Sequence, residues 1–236
     1  FVGGLNKSDH QDNESTDRLQ ITLPYDQEDV ILALAEVAEK LVVVNISGSA
    51  VAMPWADKVD AIVQGWYGGT ESGNALADVL TGKVNPSGKM PFTVPFKYED
   101  GPIKTEAQYP GIKTEDDEFW QTHYTEGVYV GYRWYATKEI PVQFPFGHGL
   151  SYTTFEYSNA KAAKSSMTAN GTLKVSVDIT NTGDIDGAEV VQLYIADPES
   201  SIDRPVKELK GFEKVWLKAG EKKTVTFEID AEDLSY

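Results

Sequence analysis

The spacing of apolar residues changes partway along this chain, and that change limits what the chain can fold into. Residues 27–40 repeat apolar side chains with helical spacing, which predicts an amphipathic helix. In the run that follows, 41–46, every residue except Asn45 is apolar, as in a strand buried on both faces of a parallel sheet. After Thr154, apolar and polar residues alternate, as they do over 173–179, which is typical of antiparallel strands. The pattern therefore predicts an α/β part followed by an all-β part.

The predicted helix would bury one stripe of apolar residues: Val30, Ile31, Leu34, Val37 and Ala38. A second strand is predicted over 61–63, and a second helix over 71–80 that Gly82 closes. These patterns divide the chain into three predicted parts. They are an α/β part over 1–95, an irregular connecting segment over 96–153 rich in proline and glycine, and about five strands of a β-sandwich over 154–236.

Composition excludes several classes of function. A formal net charge of -16 repels phosphate backbones and anionic lipid, so we expect neither a nucleic-acid nor a membrane partner. The absence of cysteine excludes disulfides, thiol nucleophiles and cysteine metal sites. The three histidines, at positions 10, 123 and 148, fit no metal-ligand spacing, and no cofactor motif is present. We therefore expect a neutral ligand and no metal or cofactor.

A polar loop near the start of the chain is the main candidate for chemistry. It holds four carboxylates within nine residues: Asp9, Asp12, Glu14 and Asp17. It follows the apolar pair Phe1-Val2, so it would leave the carboxyl end of a strand, where ligands bind in open α/β sheets. Crowding could raise the pKa of one carboxyl and suit it to proton transfer. The alternative is a solvated surface loop in which Asp17 and Arg18 form a local ion pair.

Longer strings add a resemblance to a known family. Glu14–Arg18 (ESTDR), followed by L-P-x-x-Q over 23–27, resembles the E-G-x-D-R…L-P-x-x-Q segment of family 3 glycoside hydrolases, which include β-glucosidases and β-xylosidases. Further strings resemble the same family in the same order: GSAVAMPW (48–55), WYGGTESGNALADVLTG (66–82), NPSGKMPFTVP (85–95), EGVYVGYRWY (126–135), FPFGHGLSYTTFEY (144–157), EVVQLYI (189–195) and RPVKELKGFEKV (204–215).

The resemblance implies a three-part protein. A (β/α)8-type barrel would carry an aspartate nucleophile, an α/β sandwich the acid/base glutamate, and a fibronectin type III-like domain would follow. This chain resembles the later part of the α/β sandwich, the connecting segment and most of the third domain, and so we expect a C-terminal fragment that lacks the barrel. By the match to the E-G-x-D-R motif, the resemblance implies that Glu14 is the acid/base residue. Ser15 stands where the family often has glycine, and Asp12 is the alternative acid/base.

By this resemblance, the intact protein is a retaining, exo-acting β-glycosidase of the β-glucosidase type. Its substrates would be oligosaccharides or aryl and alkyl glycosides with terminal β-linked sugars, and it would be periplasmic or secreted. The chain alone would be inactive, because one carboxyl cannot be acid/base and nucleophile in the same step. The competing hypothesis is a non-catalytic carbohydrate-binding or adhesion module, suggested by the β-sandwich and its aromatic residues.

Overall fold

The computed structural model describes residues 1–116 and 118–235, which form two compact units. The first unit contains Phe1–Ala77 and Phe92–Phe146, and the second contains Asp78–Pro91 and the chain from Gly147 onward. In chain order the elements are β1 (Val2–Gly4), α1 (Gln27–Val37), β2 (Val42–Ile46), β3 (Ala61–Gln64), α2 (Ser72–Leu80), α3 (Tyr132–Thr137), β4 (Phe155–Ala162), β5 (Leu173–Asn181), β6 (Gly187–Ile195), β7 (Glu208–Leu217), β8 (Lys222–Ile229) and α4 (Ala231–Leu234).

The first unit is built on a parallel three-stranded sheet in the order β1-β2-β3. Gly3 of β1 lies opposite Asn45 of β2, and Val44 of β2 lies opposite Val63 of β3. The central strand comes from the mostly apolar run 41–46, as its sequence predicts, and Val43 and Val44 are buried. The main apolar cluster of this unit consists of Leu5, Leu23, Ile31, Leu41, Val43, Val51, Met53 and Trp55.

Helix α1 is shorter and less buried than its sequence predicts. It ends at Val37, because Ala38 has an extended backbone with φ -82° and ψ 135°. Val30 and Val37, which were expected in the buried stripe, are 48% and 81% exposed. The residues that pack on the apolar cluster are Ile31, Leu34 and Ala35. Contact with one apolar cluster needs only this i, i+3, i+4 set, so the predicted wider stripe is wrong.

The second unit holds the five β-strands that the alternating pattern predicts. Strands β4, β5 and β8 form one antiparallel sheet, and β6 and β7 form another. The apolar core consists of Ile179, Val191, Val215, Leu217 and Val225. Buried Asn181 ends β5, where its side chain accepts a hydrogen bond from Thr153 Oγ1 at 2.6 Å and donates one to the Ile185 carbonyl at 2.8 Å.

These two units confirm the predicted fold class, an α/β part with a parallel sheet followed by an antiparallel β-sandwich. Within the described ranges, no helix has both the length and the apolar character needed to cross a membrane.

Candidate active site

The carboxyl ends of the three parallel strands place three loops at one edge of the sheet. β1 ends at Gly4, β2 at Ile46 and β3 at Gln64, and parallel strands end on the same side. The loop after β1, residues 5–23, carries the four crowded carboxylates. The expectation that this loop leaves the carboxyl end of a strand is therefore confirmed.

Asp12 joins these three loops through its carboxylate. Oδ2 accepts hydrogen bonds from the Gly48 backbone N–H at 2.6 Å and from the Tyr67 hydroxyl at 2.9 Å. Oδ1 accepts a hydrogen bond from the Ser49 hydroxyl. Gly48 and Ser49 belong to the loop after β2, and Tyr67 belongs to the loop after β3. Asp12 therefore fixes the middle of the first loop to the two neighbouring loops.

These contacts determine the charge state of Asp12. Partial burial acts to raise the pKa of Asp12, but the hydrogen bonds from Ser49, Gly48 and Tyr67 and the charge of Arg18 together lower that pKa below its usual 3.8. Asp12 is therefore not a carboxyl whose pKa crowding raises. Desolvation and the bond to this carboxylate raise the pKa of Tyr67 to about 12, so its hydroxyl stays a donor at neutral pH.

Arg18 fixes the second half of the same loop. Its Nη1 donates to the Ala50 carbonyl at 2.6 Å and to Ser49 Oγ at 3.0 Å, and its Nη2 donates to the Ile21 carbonyl at 2.8 Å. Arg18 thus binds the loop after β2, and not Asp17 as in the alternative interpretation of a solvated surface loop. The Asp17 carboxylate accepts a hydrogen bond from the Tyr109 hydroxyl, and this bond raises the pKa of Tyr109.

Glu14 contrasts with these anchored side chains. It is exposed, and none of the described residues forms a hydrogen bond or ion pair with its carboxylate. Its backbone N–H donates to Asn13 Oδ1 at 2.8 Å, and the Asn13 amide donates to Asp9 at 3.1 Å and to Thr16 Oγ1 at 3.3 Å. The backbone beside Glu14 is therefore braced, while its carboxylate remains open to a ligand.

The sequence did not identify Ser49 and Tyr67 as part of this site. Both lie in strings that resemble the family, GSAVAMPW and WYGGTESGNALADVLTG, and this position in a family string was the available signal. Lys7 lies on the same edge, with its Nζ 4.9 Å from the centroid of the Tyr67 ring. Among residues 1–116 and 118–235, no group of three or more histidine or carboxylate side chains is placed to hold a metal ion.

Comparison with models of known protein families identifies the family of the chain. The family model of the glycosyl hydrolase family 3 C-terminal domain matches residues 1–152, and that of the fibronectin type III-like domain matches residues 189–236. The chain belongs to glycoside hydrolase family 3. The predicted family is thus confirmed.

Relatives in family 3 match along the whole chain. Beta-glucosidase BoGH3A of Bacteroides ovatus is 50% identical over 238 residues, a match that covers 100% of this chain and 31% of that protein. Thermostable beta-glucosidase B of Acetivibrio thermocellus is 48% identical over 228 residues, which cover 97% of this chain and 29% of that protein. The chain therefore spans about a third of the length of these family 3 relatives.

Solved structures of family 3 enzymes show the same fold. The GH3 beta-glucosidase of Bifidobacterium adolescentis superposes with a TM-score of 0.88 at 39% identity, covering 100% of this chain and 33% of that chain. The beta-glucosidase of Kluyveromyces marxianus in complex with glucose superposes with a TM-score of 0.85 at 44% identity, covering 98% and 26%. The acid/base role of Glu14 in this family 3 chain stays a prediction.

Proposed function

We propose that this chain supplies the general acid/base of a retaining β-glucosidase and that Glu14 is that residue. The family 3 relatives named as beta-glucosidases support the reaction class. The exposed, unpartnered Glu14 carboxylate on an anchored loop is the observation that carries the assignment. The aspartate nucleophile would lie on a barrel domain outside this chain.

The proposed reaction has two steps. In the first, protonated Glu14 gives its proton to the glycosidic oxygen while the nucleophile attacks the anomeric carbon, so the C–O bond breaks and an alcohol leaves. In the second, the ionised Glu14 takes a proton from the water that attacks the glycosyl-enzyme, releasing the sugar and the nucleophile. The first step requires a protonated carboxyl, and the lowered pKa of Asp12 makes Asp12 unsuited to it.

Anchoring of the loop also supports Glu14. A general acid must come within hydrogen-bonding reach of the leaving oxygen, and small errors of placement slow proton transfer strongly. Asp12 and Arg18 bind the loop on either side of Glu14. Glu14 can therefore be both exposed and well placed.

The deciding experiment uses the full-length enzyme with Glu14→Ala. We expect kcat/KM to fall about 10²- to 10⁴-fold for phenyl β-glucoside, whose leaving group needs protonation, and far less for 2,4-dinitrophenyl β-glucoside. Azide should accelerate turnover of the second substrate and yield β-glucosyl azide, because azide attacks the glycosyl-enzyme without base assistance. Glu36→Ala, at an exposed glutamate of α1, is the control and should change neither rate. Equal losses on both substrates, or glucosyl azide from Asp12→Ala instead, would count against Glu14.

The isolated chain provides a second test. Because it lacks a nucleophile in this proposal, it should not release p-nitrophenol from p-nitrophenyl β-glucoside. If the isolated chain released p-nitrophenol faster than an equally treated Glu14→Ala chain, the proposal that the nucleophile lies outside this chain would be refuted.

A further inference from the structure

The Gln27 side chain ties together the two ends of the loop that carries Glu14. Its Oε1 accepts a hydrogen bond from the Gly4 N–H at 2.8 Å, and its Nε2 donates to the Gly4 carbonyl at 2.9 Å. The same Nε2 donates to the Pro24 carbonyl at 2.9 Å. Gly4 ends β1 and Pro24 follows the loop, so one carboxamide closes the base of residues 5–23.

Among the described residues, this carboxamide lies at the edge of β1 that faces away from β2. The Leu5 N–H donates to the Ile46 carbonyl and the Val44 N–H donates to the Phe1 carbonyl, both at 2.8 Å. Successive residues of a strand point their N–H and C=O groups to opposite edges, so those of Gly4 face away from β2. The Gln27 side chain forms hydrogen bonds with both the N–H and the carbonyl of Gly4, through Oε1 as acceptor and Nε2 as donor. The backbone of a neighbouring strand would form the same pair of bonds.

The sequence of β1 is adapted to this contact. A Cβ atom at Gly3 would overlap Gln27 Oε1, so a larger residue there would push the carboxamide out of place. The base of the loop is therefore held by one set of contacts among Gly3, Gly4 and Gln27. These contacts are separate from those that Asp12 makes at the middle of the loop.

We propose that Gln27 is a positioning residue for Glu14. This inference rests on the proposed function, since it assigns Gln27 a role only through the proton transfer by Glu14. Without the carboxamide, Gly4 and Pro24 lose their link and the loop base can shift, while the Asp12 contacts persist. Misplacement of a catalytic group by about 1 Å can cost about 10²-fold in rate, so a modest shift is sufficient.

The test is Gln27→Met in the full-length enzyme, because methionine is similar in length and shape but has no carboxamide. We expect kcat/KM for phenyl β-glucoside to fall about tenfold or more, with less than about a twofold change for 2,4-dinitrophenyl β-glucoside. A purely structural role would lower both values equally, since it would reduce only the amount of active enzyme. Gln20→Met, at an exposed glutamine of the same loop, is the matched control and should leave both values unchanged.

A second variant and a parallel measurement keep the outcomes distinct. Gln27→Glu keeps an acceptor for the Gly4 N–H but places a carboxylate against the two carbonyl oxygens, and it should show the same selective loss. Equal losses on both substrates, unchanged rates, or failure of both Gln27 variants to fold would overturn the positioning role. Glu14→Ala, assayed alongside, separates the two proposals: its selective loss upholds the proposed function even where Gln27 fails, and its lack of selectivity refutes that function.

Discussion

Removal of the Asp12 carboxylate is the most direct test of how the candidate site is held together. Asp12→Ala deletes the acceptor for the Gly48 N–H and for the hydroxyls of Ser49 and Tyr67. Each such bond to a charged group contributes about 1.5–3 kcal/mol when buried. Asp12 is only partly buried, so water can replace some of what is lost, and we use about 1 kcal/mol per bond. The expected loss is about 3 kcal/mol in the free energy of unfolding.

Asp12→Asn should cost less than Asp12→Ala. The amide oxygen can still accept from Gly48 and Tyr67, and the Ser49 hydroxyl can rotate to accept from the amide. Only the charge-assisted part of these bonds and the attraction to Arg18 disappear, so we expect a loss of about 1 kcal/mol. The graded order separates loss of charge from loss of the acceptors.

Urea unfolding of the chain at pH 7 measures these differences, with the midpoint and the m-value fitted together. Asp9→Ala is the control, because this exposed carboxylate accepts a hydrogen bond from the Asn13 amide at 3.1 Å and its removal changes the net charge equally. It should change stability by less than about 0.5 kcal/mol.

Tyr67 allows a double-mutant cycle on the same contact. Tyr67→Phe removes one donor to Asp12. In the double variant, the loss of unfolding free energy should be about 1 kcal/mol smaller than the sum of the losses in the two single variants. In Asp12→Ala the pKa of Tyr67, raised to about 12 by desolvation and by Asp12, should fall toward 10, which a phenolate titration against Tyr67→Phe would detect. Equal stabilities of the Asp12→Ala and Asp9→Ala variants, together with an unchanged Tyr67 pKa, would refute the role of Asp12 as an anchor.

Two further predictions concern stability, one in each unit. Gly4→Ala should cost about 3 kcal/mol or more in urea unfolding, because φ is +141° and a Cβ would overlap the Ile46 carbonyl oxygen; Gly73→Ala, with open space in α2, should cost nothing or stabilise the chain. In the second unit, burial and then the charge of Lys89 lower the pKa of His148 below 6.5. The unfolded state then binds more protons, so stability present above pH 6.5 is lost as the pH falls. The Tm should drop less between pH 7.5 and 5.5 in His148→Gln, and equal drops would contradict this assignment.

The hydrophobic pattern was sufficient to predict the elements that lie inside each unit. The mostly apolar run at 41–46 contains the buried central strand β2, because a strand covered on both faces needs apolar side chains on both. Strict alternation likewise predicted β5, which pairs with β8 in one antiparallel sheet. These features depend on which side chains are buried away from water, and the order of apolar and polar residues in a single sequence indicates this directly.

The contacts of Asp12 could not be predicted in the same way. Ser49 and Tyr67 lie 37 and 55 residues from Asp12, and only the parallel order of the strands brings their loops to one edge. The crowding argument could not say which of the four carboxyls is affected, because it counted nearby carboxylates and not the donors that other loops supply to Asp12. Periodicity gives the face on which a residue lies but not its partner on another loop.

Two carboxylates two positions apart in the chain thus have opposite environments. Asp12 is held ionised by three donors, whereas the Glu14 carboxylate has no partner among the described residues. Since the loop is attached through side chains, the placement of Glu14 depends on residues outside the loop. Under the proposed acid/base role of Glu14, substitutions at Ser49, Tyr67 or Gln27 should alter proton transfer in the full-length enzyme even though these side chains hold only other parts of the loop. In the proposed site, the loop leaves the Glu14 carboxylate exposed because its anchoring side chains stand at neighbouring positions.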